Sequence, residues 1–214
     1  MGKQKISQEA HTPQLFSRGW MDRLSHVHPL LPVGIFVPLA GWFFYRAVVD
    51  EQVGGGLVAG LVLGGLLFWT LVEYVEHRFL LHFETQSAFV RRVLYITHGV
   101  HHEFPKDPKR LAIAPVVSLP LSACFYGGFV LVLGMAADPF FAGFLVGYLW
   151  YEGTHYATHH MPMRSRLGAW LKRQHMRHHF QDSDYGFGIS SPLWDWVFRT
   201  QRPGVERDEV NSVG

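Results

Sequence analysis

The sequence predicts an all-α integral membrane protein, with four transmembrane helices and a cytoplasmic helical cap that holds most of its histidines. Three observations predict it: long uncharged apolar runs, basic residues gathered on one side of those runs, and short histidine-rich words standing at their ends. Hydrophobic residues fill 48% of the 214 positions and aromatics 15%, and they are unevenly placed. A hydrocarbon core roughly 30 Å thick needs about 20 apolar residues in a helix.

Residues 1–28 read as a polar cytoplasmic or interfacial segment, ahead of a membrane-embedded domain over 29–214. Phe16, Trp20, Leu24 and Val27 fall on one helical face, so 13–28 is expected to be a short helix lying in the interface; an ordinary packed helix is the alternative. The first apolar run, Pro29 to Val49, carries Arg46 as its sole charge, and the second, Gln52 to Val72, carries none. They are expected to form a hairpin around Asp50 to Gly56. The second helix continues beyond the membrane through Glu73, Glu76 and His77. Residues 83–110 make a cytoplasmic connection that ends in the turn-prone PKDPKR. Leu111 to Ala137 is long enough to span with tilt, or with a kink at Pro115 or Pro120. Gly134 to Pro139 then turns the chain. Pro139 to Tyr151 is apolar for only 13 residues, but it runs on helically into Glu152 and His155. It is expected to be the fourth span, the alternative being a buried helix that only dips into the bilayer. The tail from Met161 is polar, basic and aromatic, and no segment predicts a strand long enough for a sheet.

Of the 19 lysines and arginines, only Arg46 falls near the side opposite the others. Basic loops stay in the cytoplasm, so the histidine words are expected on the cytoplasmic side. The net charge of +2 follows from that bias, and no nucleic-acid partner need be invoked. The N-terminus lacks a short apolar core with a cleavage site, so no signal peptide is expected. Ile6 stands where a myristoylation motif requires Ser or Thr. Cys124, the sole cysteine, excludes an intramolecular disulfide.

Eleven of the 14 histidines lie in four words: HRFLLH (His77, His82), HGVHH (His98, His101, His102), HYATHH (His155, His159, His160) and HMRHH (His175, His178, His179). Neutral imidazole is a ligand for iron, copper and zinc. Residues at i, i+3 and i+4 share a helix face, so His98/His101/His102, His155/His159 and His175/His178/His179 are each expected to aim at one point. His160, about 140° round from His155 at ~100° per residue, should point elsewhere. The same arithmetic sets His77 and His82 apart, unless they serve different metals or the helix breaks at Phe79 to Leu81. Ten imidazoles are too many for one ion and suit two, five to each, with one position left open for water or dioxygen. Structural zinc prefers four ligands from Cys/His sets, which this chain cannot supply. His11, His26 and His28 read as ordinary solvated or hydrogen-bonded side chains. A carboxylate-bridged bundle would need two Glu-x-x-His motifs plus two further glutamates; only Glu152-x-x-His155 is present. Bis-histidine haem would need lone histidines facing one another within spans, and a metal transporter would need ligands along a path through the bilayer. These words stand at one end.

The ordered words, followed by GFGISSPLWDWVF, resemble the fatty acid hydroxylase/sterol desaturase superfamily, and most closely its fatty acid 2-hydroxylase branch. The similarity covers about residues 70–200. It includes Pro105, Asp107, Arg110 and Leu111 after the second word, Tyr148, Tyr151 and Tyr156 around the third, and Gly186, Phe187, Gly188, Trp194, Asp195 and Phe198 after the fourth. The resemblance implies a membrane enzyme whose His77, His82, His98, His101, His102, His155, His159, His175, His178 and His179 hold a dimetal centre. That centre is iron in the active form, with zinc also accepted in purified protein and dioxygen as co-substrate.

Glu152 stands where the family usually has Asp. Tyr148, Tyr151 and Glu152 lie seven, four and three residues before His155 and are expected to line a route for a lipid headgroup or acyl carboxyl, or else to form an interfacial aromatic belt. Carboxylates that orient ring N–H groups are sought among Glu73, Glu76, Glu103, Asp107, Glu152 and Asp195. GFG and Trp194/Trp196 either close a lid over the site or pack it. The expected function is a membrane-bound non-haem di-iron monooxygenase acting at C2 of a fatty acyl chain, free or within a sphingolipid. Sibling chemistry on a sterol, sphingoid base or carotenoid is the enzymatic alternative, and a non-catalytic metal-binding membrane protein is the alternative of another class. Twenty-eight N-terminal residues cannot form the cytochrome b5 domain of many eukaryotic members. A separate cytochrome b5-like or ferredoxin-like carrier with its reductase is therefore expected to dock on Lys106 to Arg110 and Arg164 to Arg177.

Overall fold

The computed structural model describes residues 6–49 and 54–202, all of whose regular structure is helical. The long helices are α2 (Leu31–Val49), α3 (Gly55–Val75), α6 (Pro115–Leu133) and α7 (Ala137–His160), with the shorter α1 (Gly19–Ser25), α4 (Ala88–Leu94), α5 (Val100–Glu103), α8 (Arg166–Phe180) and α9 (Leu193–Val197). Two π-helical segments, Glu76–Leu81 and Tyr95–Gly99, interrupt the helices that carry the first two histidine words. The expected hairpin around Asp50 to Gly56 lies partly outside the described residues.

Among the described residues, three stretches are long and apolar enough to cross a membrane: Leu31–Val49, Gly55–Leu81 and Pro115–His160. The last is not one rod. A single 3₁₀ turn at Gly134–Ala136, opened by Gly134 at φ +58°, reverses the chain between α6 and α7. Phe125 therefore meets Phe144 at 4.9 Å and Phe129 meets Phe140 at 5.0 Å between ring centroids, an antiparallel pairing. Pro115 occupies the first turn of α6, where its missing N–H costs nothing.

Helix α7 is the central post, packed against both α2 and α3. Glycines bring its backbone onto α3. A Cβ on Gly65 would fall 1.9 Å from Phe140 O, and one on Gly143 would fall 1.9 Å from Val62 O. Small residues permit this close approach where lipid removes the usual hydrophobic drive for association. Around the contact, Phe36, Phe43, Trp69, Phe141, Phe144 and Tyr148 form the buried core.

At the other end of α7 the connection 83–110, α8 and the tail fold together into a histidine-rich cap. Ser165 starts α8 by accepting from Gly168 N at 3.1 Å. The N-terminal segment straps onto the connection rather than forming one helix over 13–28. Thr12 N and Oγ1 both donate to Asp107 at 2.8 Å, and Val27 N donates to Lys109 O at 2.9 Å. Arg110 donates to Ser25 Oγ at 2.5 Å and pairs with Asp22 at 3.5 Å, leaving it only 5% exposed. This corrects the expectation that Arg110 belongs to a basic docking surface. Lys106 and Lys109 remain exposed.

Candidate metal centre

All ten imidazoles singled out by the sequence come together, in two sets of five. His77, His82, His98, His102 and His178 form one set, and His101, His155, His159, His175 and His179 the other, with ligand atoms in each set within 4.8 Å of one another. The sets adjoin: His102 and His179, from different sets, stack at 4.1 Å. His160 belongs to neither and lies 4.9 Å from the Tyr156 ring. His26 Nδ1 meets Asp22 O at 2.9 Å, and His28 Nδ1 accepts from Leu30 N at 3.2 Å.

The partition corrects two expectations. Neither histidine trio aims at a single point. Four residues turn the helix to within about 40° of the start, whereas three leave it about 60° to the other side. Accordingly His98/His102 and His175/His179 each stay in one set, while the intervening His101 and His178 turn to the neighbouring one. His77 and His82 do share a set. They are not split between metals: α-helical geometry gives way at Glu76–Leu81, which is π-helical and ends before His82, whose N–H bonds to Leu80 O, and the wider turn brings residues five apart closer to one face.

Within each set the Nε2 atoms converge. His77, His98 and His178 stand 3.2, 3.3 and 3.0 Å from His82, and His102 stands 2.9 Å from His98. In the second set the separations are 2.9 Å for His155 and His101, 2.8 Å for His159 and His175, and 3.1 Å for His179 and His175. Two imidazole nitrogens at right angles on one divalent ion, each about 2.1 Å from it, would stand about 3.0 Å apart. His77 Nδ1 donates to Phe187 O at 2.6 Å and His178 Nδ1 donates to Tyr185 O at 2.9 Å. These bonds place the proton on Nδ1 and turn bare Nε2 lone pairs inward. Lone pairs facing one another in a buried site call for a cation, so the donor set fits a metal pair.

Burial and the neighbouring rings hold these groups neutral. The pKa values of His98, His101, His102, His175 and His179 lie well below 6.5, primarily through burial. Burial lowers His82 to about 3 and His178 to about 4.

The carboxylates do not orient the rings directly. Glu73 accepts from Ile189 N at 2.6 Å and Ser190 N at 2.8 Å, Glu103 from Tyr95 Oη at 2.7 Å, and Asp107 from Thr12. Asp195 accepts from Phe187 N at 3.0 Å and Gly188 N at 2.8 Å. For His77 and His178 the ring partners are instead the backbone carbonyls of Phe187 and Tyr185. Sequence reasoning missed them because any residue type carries a carbonyl; the glycines of GFG, with Gly186 at φ +72°, were the available signal. Tyr151 lies 5.6 Å from the His155 ring, Tyr148 lies 4.8 Å from Phe36, and Glu152 accepts from Ile113 N at 3.5 Å. All three are buried, which removes the aromatic-belt alternative. Phe187 packs its ring 5.9 Å from His77, so GFG packs the site.

The fatty acid hydroxylase family model matches residues 62–200, a stretch that contains every one of the ten imidazoles and the GFG loop. The chain belongs to the fatty acid hydroxylase family. Among curated fatty acid hydroxylases it is 36% identical to a dihydroceramide fatty acyl 2-hydroxylase of Arabidopsis thaliana, over 78% of this chain and 70% of that one. It is 36% identical to the fatty acid 2-hydroxylase of Rattus norvegicus, over 79% of this chain and 51% of that one. A solved structure of full-length scs7p, with only its hydroxylase domain visible, superposes with a TM-score of 0.81 at 30% identity, covering 86% of this chain and 70% of that one. The chain thus spans about half to 70% of the relatives it matches.

Proposed function

We propose that this chain is a membrane-embedded lipid hydroxylase that places a hydroxyl group at C2 of a fatty acyl chain, free or carried by a sphingolipid. The observation that carries the reading is the pair of five-imidazole sets with converging Nε2 atoms, in a chain similar to named acyl 2-hydroxylases. His77, His82, His98, His102 and His178 would hold one iron ion, and His101, His155, His159, His175 and His179 the other. The iron pair, when bound, supplies activation of dioxygen for insertion into an unactivated C–H bond. Imidazole also accepts zinc, so purified protein can carry it in place of iron.

The chain's own residues supply position. Five neutral imidazoles would hold each ion. Tyr151 and Glu152, one helical turn from His155 on α7, are read as the wall along which the polar end of the lipid approaches. We read α6 and α7 as separate spans, because their antiparallel packing turns the 46-residue stretch Pro115–His160 back on itself. The basic residues beside the cap favour a cytoplasmic site.

The reaction consumes one dioxygen, two electrons and two protons and yields the alcohol and water. The electrons are expected from a separate cytochrome b5-like or ferredoxin-like carrier with its reductase, meeting Lys106 and Lys109. Mass spectrometry of lipids from cells expressing the chain is expected to show added 2-hydroxy acyl species, absent with His155→Ala at equal protein level. An identical lipid profile in both would reject the reading.

A further inference from the structure

Asp195 lies in α9, only 3% exposed, and contacts the GFG loop through both carboxylate oxygens. Its Oδ1 accepts from Phe187 N at 3.0 Å and from Thr200 Oγ1 at 2.7 Å, and its Oδ2 accepts from Gly188 N at 2.8 Å. Gly186 N donates to Thr200 O at 3.0 Å and closes the loop a second time. A side chain at position 188 would be excluded, since its Cβ would fall 2.1 Å from Ser191 O.

The bond to Gly188 N has a consequence one atom pair away. That N–H and the Phe187 carbonyl belong to one planar trans peptide, so they point in opposite directions. Asp195 grips one edge of the peptide, and the opposite edge presents Phe187 O to His77 Nδ1 at 2.6 Å. A carboxylate on the N–H also draws electron density toward the carbonyl oxygen, which strengthens it as an acceptor. The loop's other contacts fall on the same set of imidazoles. Tyr185 O accepts from His178 at 2.9 Å, and the Phe187 ring lies 5.9, 6.0 and 5.8 Å from His77, His82 and His178.

We propose that Asp195 is a positioning residue for one of the two metal positions. Through the Phe187–Gly188 peptide it holds His77 with Nδ1 protonated and its Nε2 lone pair turned toward His82, His98, His102 and His178. The second set, His101, His155, His159, His175 and His179, stands apart from this control. The inference rests on the metal reading, and not on which lipid is oxidised.

The test uses the full-length chain loaded with Zn²⁺ as probe. Bound ions are counted, and their release to a metallochromic chelator is timed. Wild type is expected to hold two ions. Asp195→Asn keeps the size and the Oδ1 acceptor but sets an amide N–H₂ against Gly188 N–H. It is expected to release one ion about ten- to a hundredfold faster, the range for loss of a group that supports a ligand, with the other ion at its wild-type rate. His159→Ala, which removes a ligand of the other set, identifies which ion is which. Equal acceleration of both ions, or no change in either, overturns the proposal. Should Asp195→Asn fail to fold, Thr200→Val removes one donor from the same carboxylate and is expected to give a smaller acceleration of the same ion alone; unchanged release there overturns it too. Wild-type protein holding fewer than two ions would overturn the metal reading itself, an outcome visible before any variant is compared.

Discussion

His159 and His160 are chain neighbours with opposite positions: His159 Nε2 stands 2.8 Å from His175, while His160 lies outside both sets. His159→Ala is expected to cost one bound ion per chain and His160→Ala none, measured by elemental analysis of folded protein. Equal metal loss in the two would contradict the assignment. Acid should act through the same imidazoles. His82 and His178 carry folded values of about 3 and about 4, below the ordinary 6.5. The unfolded chain therefore binds more protons below pH 6.5, so their contribution to stability is whole above that value and is lost as pH falls toward 4 and 3. Metal is expected to leave over the same window, since protons compete for its ligands. Metal content and melting temperature unchanged from pH 7.5 to 4 would contradict this. Residue types and the i, i+4 pairs were legible in the sequence. The partition between sets was not, because the i+3 residue turns away from its pair only when a second site lies beside the first.

The elements that sequence arithmetic handled worst are the two π-helical segments, because a regular α-helix of about 3.6 residues per turn puts residues five apart on different faces. Only a wider turn brings His82 back over His77. Inserting one alanine after Leu80 would put His82 six residues after His77 and swing it round by about 100°. One ion is expected to be lost from the His77 set while the His101 set keeps its own. Retention of both would show that the π segment does not set the register. The α3/α7 contact gives a second expectation. Gly143→Leu must displace the Val62 backbone, whereas Gly127 has open space within 4 Å. Overpacking commonly costs about 1–3 kcal/mol, so Gly143→Leu should lower the melting temperature in detergent and Gly127→Leu should leave it near wild type. The apolar runs announced these helices, but the glycine pairing depends on which faces meet, and apolar sequence all round does not say.

At the scale of the molecule, the order of spans and the gathering of distant histidine words at one end could be read from hydropathy and charge alone. The strap that buries Arg110 against Ser25 and Asp22 could not, since its bonds join residues 85 and 88 positions apart. Beside the exposed Arg164, Arg166 and Arg173, any carrier surface can then draw from the Lys106–Arg110 stretch only on Lys106 and Lys109. Reversing both charges is expected to slow donor-driven turnover and weaken its salt dependence, and unchanged rates would place the carrier elsewhere. Whether ten imidazoles holding two ions oxidise an acyl chain is decided by supplying ¹⁸O₂ to purified iron-loaded protein with lipid, carrier and reductase, followed by mass spectrometry of the acyl product. One ¹⁸O atom at C2 is expected from wild type and none from His101→Ala. Wild-type protein with both ions bound that leaves C2 unlabelled would contradict the account.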